Sequence, residues 1–553
     1  MNTVAKKGVP RSAHSDWLRQ SIEQNYPLIL FPLILLLAGF AWLNRFVTDD
    51  AFICFRYALN LVEGNGLVWN PGEWVEGYTN FLWTLILSVP IALGIDPVTF
   101  CFIVGPILSA LTLYFTSLIA MELFQSKILA LLTITLIGLN PTFSAFATSG
   151  LETQFLTCLQ TTMLATLLQA VRTHTLSLSQ ALTLSLLGSA ALLTRLDAVL
   201  VVGLVLAISG LCLSNLGRGQ QWIMRLALCT PCASIIGVWF AWKFWYYGSI
   251  LPNTFYAKVS GLSNWALGLD YLWTFLRSYW LAPFPLLWLF AGGQFLNKTA
   301  RGAAILLLLL VIHSVYLISI GGDFMEFRML VPVLPIFVLL TVWIIFNYFT
   351  TPLLQTAFIA IVVIGAGHHY KTFRSNKIES VENLSAHLNH ESSDWIGIGQ
   401  ELRRVFSETM DARIAVTASG AISYYSKLYS LDMLGLSDPW IARHGIRILS
   451  QPGHQRLAPI EYLVQRRINL VLADRMRSGP SPPDKQAYRP EDLAAYQYLP
   501  PLLTNRLPST ATILEIRRAD QRTLVALYLE RLPAIERAIQ THQWRQFPIH
   551  PNR

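Results

Sequence analysis

Long apolar runs separated by short polar gaps dominate the chain up to residue 368. Most of them have about 17–26 residues, the length that an α-helix needs to cross a hydrocarbon core of roughly 30 Å. The pattern predicts a polytopic α-helical membrane domain over residues 26–368, preceded by a polar cytoplasmic segment, residues 1–25. The runs lie near 26–46, 81–95, 98–123, 128–146, 153–171, 176–194, 197–213, 226–247, 279–295, 302–320, 329–349 and 352–368.

The basic residues decide how many runs cross. If every run crossed, Arg172, Arg218 and Arg225 would lie outside, against the tendency of Lys and Arg to stay in cytoplasmic loops. The run 81–95 is short and is interrupted by a proline and a glycine. If this run lies in the membrane interface or re-enters on the same side, every later gap changes side, and the gaps that contain basic residues all become cytoplasmic. We therefore predict about eleven transmembrane helices, an external loop over residues 48–97 and an external C-terminal end.

The residues after 368, here called the tail, have the pattern of a soluble domain. Ala412–Ser426 predicts a strand, a glycine turn and a helix, and Tyr429–Leu434 and Ile468–Ala473 predict further strands. Strands that alternate with helices are typical of an α/β layer structure. We expect an extracytoplasmic α/β domain over residues 369–553.

The composition agrees with a membrane protein. Hydrophobic residues make up 53% of the chain and charged residues only 13%, whereas a soluble domain has about 25% charged residues. The net charge of +9 does not indicate a nucleic-acid partner, because the basic residues lie in cytoplasmic gaps or are scattered through the tail. Cys229 and Cys232 have the spacing of a metal or redox motif, but they lie in an apolar run without a second pair.

The loop Thr48–Asn80 concentrates acidic residues on the external side, beginning with Asp49 and Asp50. Apolar residues at helical spacing over Ala51–Glu63 predict a short helix on the membrane surface. Two functions stay open for the adjacent carboxylates. They can cap the helix that follows, since Asp stabilises a helix N-terminus, or one of them can act as a general base or metal ligand for a hydroxyl nucleophile.

Four other external gaps carry charges that face the same compartment. The segment Gly321–Pro332 holds Asp323 and Arg328, and Arg328 is suited either to a phosphate or to an acid of its own loop. The other gaps carry Glu152, the pair Arg195 and Asp197, and Lys258. For these residues helix capping, a mutual ion pair and interfacial snorkelling, respectively, are the structural alternatives.

Taken together, these motifs resemble bacterial GT-C-fold glycosyltransferases, and among them the mycobacterial terminal β-(1→2) arabinofuranosyltransferases. The resemblance extends from about residue 48 to residue 475, and the first motif is the specific one. The motifs are TDDAFICFRYALNLVEGNGLVWNPGEWVEGYTNFLW, SGLET, TRLDA, LPNTFYAK, GGDFMEFRMLVPVLP and AVTASGAISYYSKLYSLDMLGLSDPWIARHG.

The resemblance implies an enzyme of the bacterial plasma membrane that takes a sugar from a polyprenyl-phosphate donor with inversion at the anomeric carbon. The acceptor would be a cell-envelope glycan, glycolipid or glycoprotein. An acid of the first external loop is the expected base, a position that Asp49 or Asp50 occupies, and Asp323 is a further active-site residue. A pentofuranose is the expected sugar class, but Glu326 and Phe327 depart from the family pattern and leave the sugar open.

The remaining predicted contacts follow from charge and position. The phosphate contacts are Arg328, Lys258 and Arg195, and the substrate contacts are Arg56, Glu76, Tyr78 and Glu152. The lipid tail is expected beside 81–95, and a requirement for Mg²⁺ or Mn²⁺ stays open. The alternative function is a transporter or flippase for lipid-linked sugars or solutes, which would show internal repeats that we do not find in the sequence.

Overall fold

A computed structural model describes residues 21–215, 217–258, 264–290, 292–295, 300–407, 411–448, 455–493, 507–518 and 520–549. Helices make up most of the described chain up to Thr372. They are Tyr26–Leu43, Asp49–Val62, Phe81–Ala92, Pro97–Phe124, Lys127–Gly138, Pro141–Phe146, Thr153–Thr173, Leu178–Thr194, Val199–Leu211, Arg218–Tyr247, Asn253–Lys258, Trp265–Ser278, Pro283–Phe290, Gly292–Phe295, Arg301–Ile320, Leu334–Tyr348 and Pro352–Thr372, with 3₁₀ turns at Leu196–Ala198, Cys212–Asn215 and Arg328–Val333.

Six helical segments within the described residues are long and apolar enough to cross a membrane. Phe81–Ala92 is not one of them. Its 12 residues extend about 18 Å, less than the roughly 30 Å of a hydrocarbon core. Lys127–Gly138, in a run predicted to cross, is equally short, so helix length does not decide whether Phe81–Ala92 crosses. The total of eleven crossings stays a prediction. The six segments are Tyr26–Leu43, Pro97–Phe124, Arg218–Tyr247, Arg301–Ile320, Arg328–Tyr348 and Pro352–Thr372.

The apolar run 128–146 is not one continuous helix, contrary to the simplest interpretation of its length. It divides into Lys127–Gly138 and Pro141–Phe146. Asn140 caps the second helix by accepting the N–H of Phe143 at 3.0 Å. Pro follows it at the first helical position, where the missing N–H costs nothing. In the run 279–295 the first helix begins only at Pro283.

The tail forms a six-stranded sheet in the order β2-β1-β5-β7-β6-β8. Strands β2, β1 and β5 are parallel, and β5, β7, β6 and β8 are antiparallel. The predicted strand–turn–helix unit and both further strands are present. The strands are Arg413–Val416 (β1), Tyr429–Asp432 (β2), Ile446–Arg447 (β3), Arg456–Leu457 (β4), Leu470–Arg477 (β5), Thr512–Arg517 (β6), Thr523–Tyr528 (β7) and Arg545–Pro548 (β8), and the helices are Val381–Asn389, Trp395–Val405, Ala421–Ser426, Pro439–His444, Ile460–Gln465 and Pro533–His542.

The helix Asp49–Val62, called the loop helix below, does not lie on an open membrane surface as predicted. Its residues from Ala51 to Ala58 are all buried. Phe52 is fully buried and its ring lies 5.6 Å from that of Tyr424, which belongs to the helix Ala421–Ser426 of the tail, called the tail helix below. Burial of a Phe side chain contributes about 1.5–3 kcal/mol. The loop helix is therefore held between the membrane domain and the tail.

Candidate active site

The two acids of the loop helix lie on different faces. Residues three or four positions apart share a helix face, so Asp49, Phe52 and Arg56 face one side. This side packs on the tail helix. Asp50 and Cys54 share the neighbouring face. The adjacent carboxylates therefore belong to different surroundings.

Both carboxylate oxygens of Asp49 accept hydrogen bonds from the tail. The backbone N–H of Ala421 donates to Oδ1 at 2.7 Å, and that of Gly420 donates to Oδ2 at 3.0 Å. Burial raises the pKa of Asp49 to about 6, with the Ala421 amide acting against this change and Asp50 acting with it. The structural alternative of helix capping thus applies to Asp49, although the capped helix is the tail helix.

Asp50 faces the charges of the membrane domain. Lys258 lies within electrostatic reach of Asp50, Arg328 and Asp323. The side chain of Lys258 is exposed, and of its charged neighbours Asp50 does most to raise its pKa. A carboxylate and an ammonium thus interact electrostatically at this site, and a reaction that moves a proton and releases an anion could use both.

The segment after the Arg301–Ile320 helix turns sharply and directs two charges into the cleft. Gly321 and Gly322 have φ values of +89° and +77°, which glycine adopts without strain. Beyond this turn, Arg328 Nε donates to Asp323 Oδ2 at 2.8 Å. Arg328 also lies within electrostatic reach of Asp50. The guanidinium is therefore oriented by an acid of its own loop while it stays part of the cleft.

Arg195 joins two acids at the base of the same site. Its Nη1 donates to Glu152 Oε1 and its Nη2 donates to Asp197 Oδ2, each at 2.8 Å. Glu152 also accepts the Nδ2–H of Asn80 at 2.6 Å. Burial by itself would raise the pKa of Glu152, but Arg195 and Arg328 hold it below its usual value. All three guanidinium nitrogens of Arg195 donate to Glu152 or Asp197, so the ion-pair alternative is present, and a phosphate contact of Arg195 stays a prediction.

These residues form one site, here called the charge cluster. Its members are Asp50, Glu152, Arg195, Asp197, Lys258, Asp323 and Arg328. They come from five chain segments, each at a helix end or in a loop.

Arg56 lies outside the charge cluster, so the prediction of a substrate contact needs correction. Its Nε donates to Trp69 O at 2.8 Å, and its Nη2 donates to Asn70 Oδ1 at 2.9 Å and to Leu428 O at 2.8 Å. Its Nη1 donates to Ser423 O. Arg56 is only 5% exposed. Its guanidinium is occupied in joining the acidic loop to the tail.

Glu76 and Tyr78 lie in a second, buried cluster rather than with the other predicted substrate contacts. Lys243 Nζ is 2.8 Å from Glu76 Oε2, and the hydroxyls of Tyr78 and Tyr247 are 3.0 Å apart. Lys243 was not among the predicted functional residues. A lysine inside the apolar run 226–247 nevertheless indicates a buried partner, because ionisable groups at membrane depth are costly. This cluster fastens the acidic loop to a membrane helix.

An apolar groove of about 340 Å³ opens next to the charge cluster. The segment Arg328–Val333 connects the two, because Arg328 belongs to the cluster whereas Leu330 and Val333 line the groove. The residues that line the groove are apolar except for Ser314. The lipid tail was expected beside 81–95, a prediction that no contact in the described structure tests, whereas the groove lies between the following helices. They are Trp265–Ser278, Pro283–Phe290, Arg301–Ile320 and Leu334–Tyr348.

The carboxylates of the site do not fit a metal cage. Asp49 is bound to two amides, Asp323 to Arg328, and Glu152 to Arg195. Across the described ranges, no group of three His, Cys, Asp or Glu side chains is arranged to hold a metal ion. The requirement for Mg²⁺ or Mn²⁺ stays a prediction, and we assign no chemical step to a metal.

The fold is similar to that of ArnT from Cupriavidus metallidurans. With the structure of ArnT bound to undecaprenyl phosphate the TM-score is 0.53 at 14% identity, over 91% of this chain and 98% of that chain. With the apo state the TM-score is 0.52, over 93% and 98%. This similarity supports the predicted class, a polytopic helical membrane protein.

Two curated relatives agree with the resemblance found in the motifs. The terminal β-(1→2)-arabinofuranosyltransferase of Corynebacterium glutamicum is 29% identical over 378 residues, which are 60% of this chain and 52% of that protein. The enzyme of the same name from Mycobacterium tuberculosis is 27% identical over 339 residues, 54% and 52% of the two chains. The chain thus spans about half the length of these relatives. Residues 384–528 match a domain of unknown function, DUF8728.

Proposed function

We propose that this chain is an inverting glycosyltransferase that moves a sugar from a polyprenyl-phosphate donor to a cell-envelope glycan, glycolipid or glycoprotein. The observation that carries the proposal is the electrostatic interaction of Asp50 with Lys258 and Arg328, together with an apolar groove whose lining begins two residues after Arg328. A pentofuranose is the proposed sugar, in keeping with the names of the two curated relatives.

Asp50 is the proposed general base. It takes the proton of the acceptor hydroxyl as that oxygen attacks the anomeric carbon, while the bond from this carbon to the phosphate oxygen breaks on the opposite face. This opposite placement of base and leaving group is the arrangement of an inverting reaction. Asp49 is less suited to this role, because its two oxygens already accept amide hydrogens.

Lys258 and Arg328 are the proposed contacts of the phosphate. The leaving polyprenyl phosphate gains negative charge, and cations placed where charge develops lower the barrier without further reorganisation. Asp323 orients Arg328 by accepting its Nε–H at 2.8 Å, which leaves both Nη groups directed elsewhere. A strong general acid is unnecessary, since a phosphate is a good leaving group.

The apolar groove is the proposed site of the lipid tail. The segment Arg328–Val333 places a cation and the groove within two turns of each other, so a phosphate held by Arg328 has its isoprenoid chain directed along Leu330 and Val333. Burial of apolar surface favours such a chain by about 25 cal/mol per Å². The groove is open between helices, as a long lipid that enters from the bilayer requires.

We propose the bacterial plasma membrane as the location, with eleven crossings and with the charge cluster and the tail on the external face. Cysteines introduced near Asp96 and at Lys377 should both react with an impermeant reagent added from outside, in a background without the native cysteines. If either position reacts only from the cytoplasmic side, the topology is wrong.

A transporter is the less favoured function. The members of the charge cluster lie at helix ends and in loops, whereas a transporter places its binding site near the bilayer midplane between internal repeats. The names of the curated relatives also describe transfer rather than transport.

The decisive experiment measures sugar transfer by the purified protein from a polyprenyl-phosphate pentofuranose to a glycan acceptor. Asp50→Asn should lower kcat by about 10²–10⁴-fold, the usual contribution of a general base. Asp411→Asn, a tail acid remote from the cleft in sequence, serves as the control. Transfer by Asp50→Asn at the wild-type rate would refute the proposed base.

A further inference from the structure

We propose that the tail is a positioning part of the active site, in which the amides of Gly420 and Ala421 hold Asp49 and thereby orient Asp50. Both amides belong to the segment 384–528 that matches a domain of unknown function. The proposal therefore gives that segment a role. It rests on the proposed function, because it takes Asp50 as the base.

The contact is a two-point attachment of one carboxylate. Oδ1 accepts the Ala421 N–H at 2.7 Å, and Oδ2 accepts the Gly420 N–H at 3.0 Å. Hydrogen bonds to an ionised acceptor are stronger than neutral ones, and two of them define an orientation as well as a distance. Since Asp49 and Asp50 are adjacent in the first turn of the loop helix, a fixed Asp49 restricts the rotation of the helix and thereby the direction in which the Cα–Cβ bond of Asp50 points.

The backbone of the tail approaches Asp49 so closely that only glycine fits at position 420. A Cβ added to Gly420 would lie 1.9 Å from the carbonyl oxygen of Asp49 and 2.7 Å from its Cγ. The φ of Gly420 is −74°, a value that other residues adopt readily. The close approach to the loop helix therefore requires a glycine at this position.

Two further contacts extend the attachment along the same face of the loop helix. Phe52 packs against the rings of both Tyr424 and Tyr425, at centroid distances of 5.6 Å and 5.5 Å. Arg56, one turn farther on, donates to the carbonyl oxygens of Ser423 and Leu428. The tail helix thus holds the loop helix at three successive turns, which removes its freedom to rotate about its axis.

The test adds one methyl group in the tail of the full-length enzyme. Gly420→Ala should lower kcat by about a hundred-fold, as a displacement of about 1 Å does for a positioned group, while donor KM changes less than about two-fold. Gly479→Ala is the matched control, since a Cβ there meets nothing within 4 Å, and should behave as wild type. A purely structural contact would lower Tm but leave kcat per folded molecule unchanged.

Asp49→Asn provides a second measurement without a steric change. The amide keeps one acceptor oxygen, so its kcat should lie between those of wild type and Asp50→Asn, again with an unchanged donor KM. If Gly420→Ala does not fold, this variant decides. Wild-type kcat in the folded variants overturns the positioning role while an inactive Asp50→Asn upholds the proposed function. If Asp49→Asn is as inactive as Asp50→Asn, the positioning role is also overturned, since Asp49 would then contact the reacting atoms itself.

Discussion

Replacing Arg56 tests whether the acidic loop and the tail form one unit. Arg56→Met removes hydrogen bonds to four acceptors, on Trp69, Asn70, Ser423 and Leu428. Some of these acceptors keep a second donor, so we take about 1 kcal/mol for each lost bond, which gives about 4 kcal/mol in total. For a unit of roughly 150–250 residues this lowers Tm by about 8–16 °C. Thermal unfolding followed by tryptophan fluorescence measures the change.

Two comparisons make this result interpretable. Arg56→Lys should recover less than half of the loss, because an ammonium lacks the planar fork that reaches all four acceptors. Arg404→Met removes only the surface pair with Glu401 and should change the stability by less than about 1 kcal/mol. If Arg56→Met keeps the wild-type Tm but raises donor KM ten-fold, Arg56 is a substrate contact after all and our reassignment is wrong.

Three other expectations concern the second cluster, the groove and the phosphate site. Burial raises the pKa of Glu76 to about 7 from 4.5, so the native state binds this proton more tightly than the unfolded chain does. The native state therefore loses stability as the pH rises between those two values. In Glu76→Gln, Tm measured from pH 5 to pH 8 should no longer show this decrease. Leu310→Trp should fill the groove and raise KM for a full-length donor more than for a short-chain donor, whereas Leu308→Trp, at an exposed position of the same helix that does not line the groove, should not. Arg328→Lys keeps the charge but loses the Nε–H donated to Asp323 and should lower kcat/KM about ten-fold in a steady-state assay. An unchanged kcat/KM would show that the reaction does not require Asp323 to orient Arg328.

Local patterns were sufficient for much of the architecture. The loop helix follows from apolar residues at helical spacing, and the strand–turn–helix unit at Ala412–Ser426 follows from β-branched residues before a glycine. The interruption of 128–146 was also readable, since Asn140 before Pro141 is a helix start signal. The prediction treated the run as one helix because of its apolar length and gave too little weight to this start signal.

Contacts between distant segments were beyond the sequence pattern. Asp49 and Gly420 are 371 positions apart, and no periodicity links them. The same holds for Lys243 and Glu76, although a lysine in an apolar run predicts that some buried partner exists. Arg56 illustrates the limit best, because a single arginine in an acidic loop is as consistent with a substrate contact as with a bond to a tail that lies far along the chain.

The adjacent acids of the loop helix pose an electrostatic problem that the two-sided arrangement resolves. Like charges this close raise each other's pKa, so both could not stay ionised in one apolar pocket. The tail amides stabilise the charge of Asp49, and Lys258 and Arg328 stabilise that of Asp50. Since burial raises the pKa of Asp49 to about 6, acidification below that pH protonates it and weakens its bonds to the tail. In the positioning role that we propose for the tail, the orientation of Asp50 therefore depends on a charge that Asp50 does not carry itself, which gives both neighbouring carboxylates a use although the proposed chemistry needs only one base.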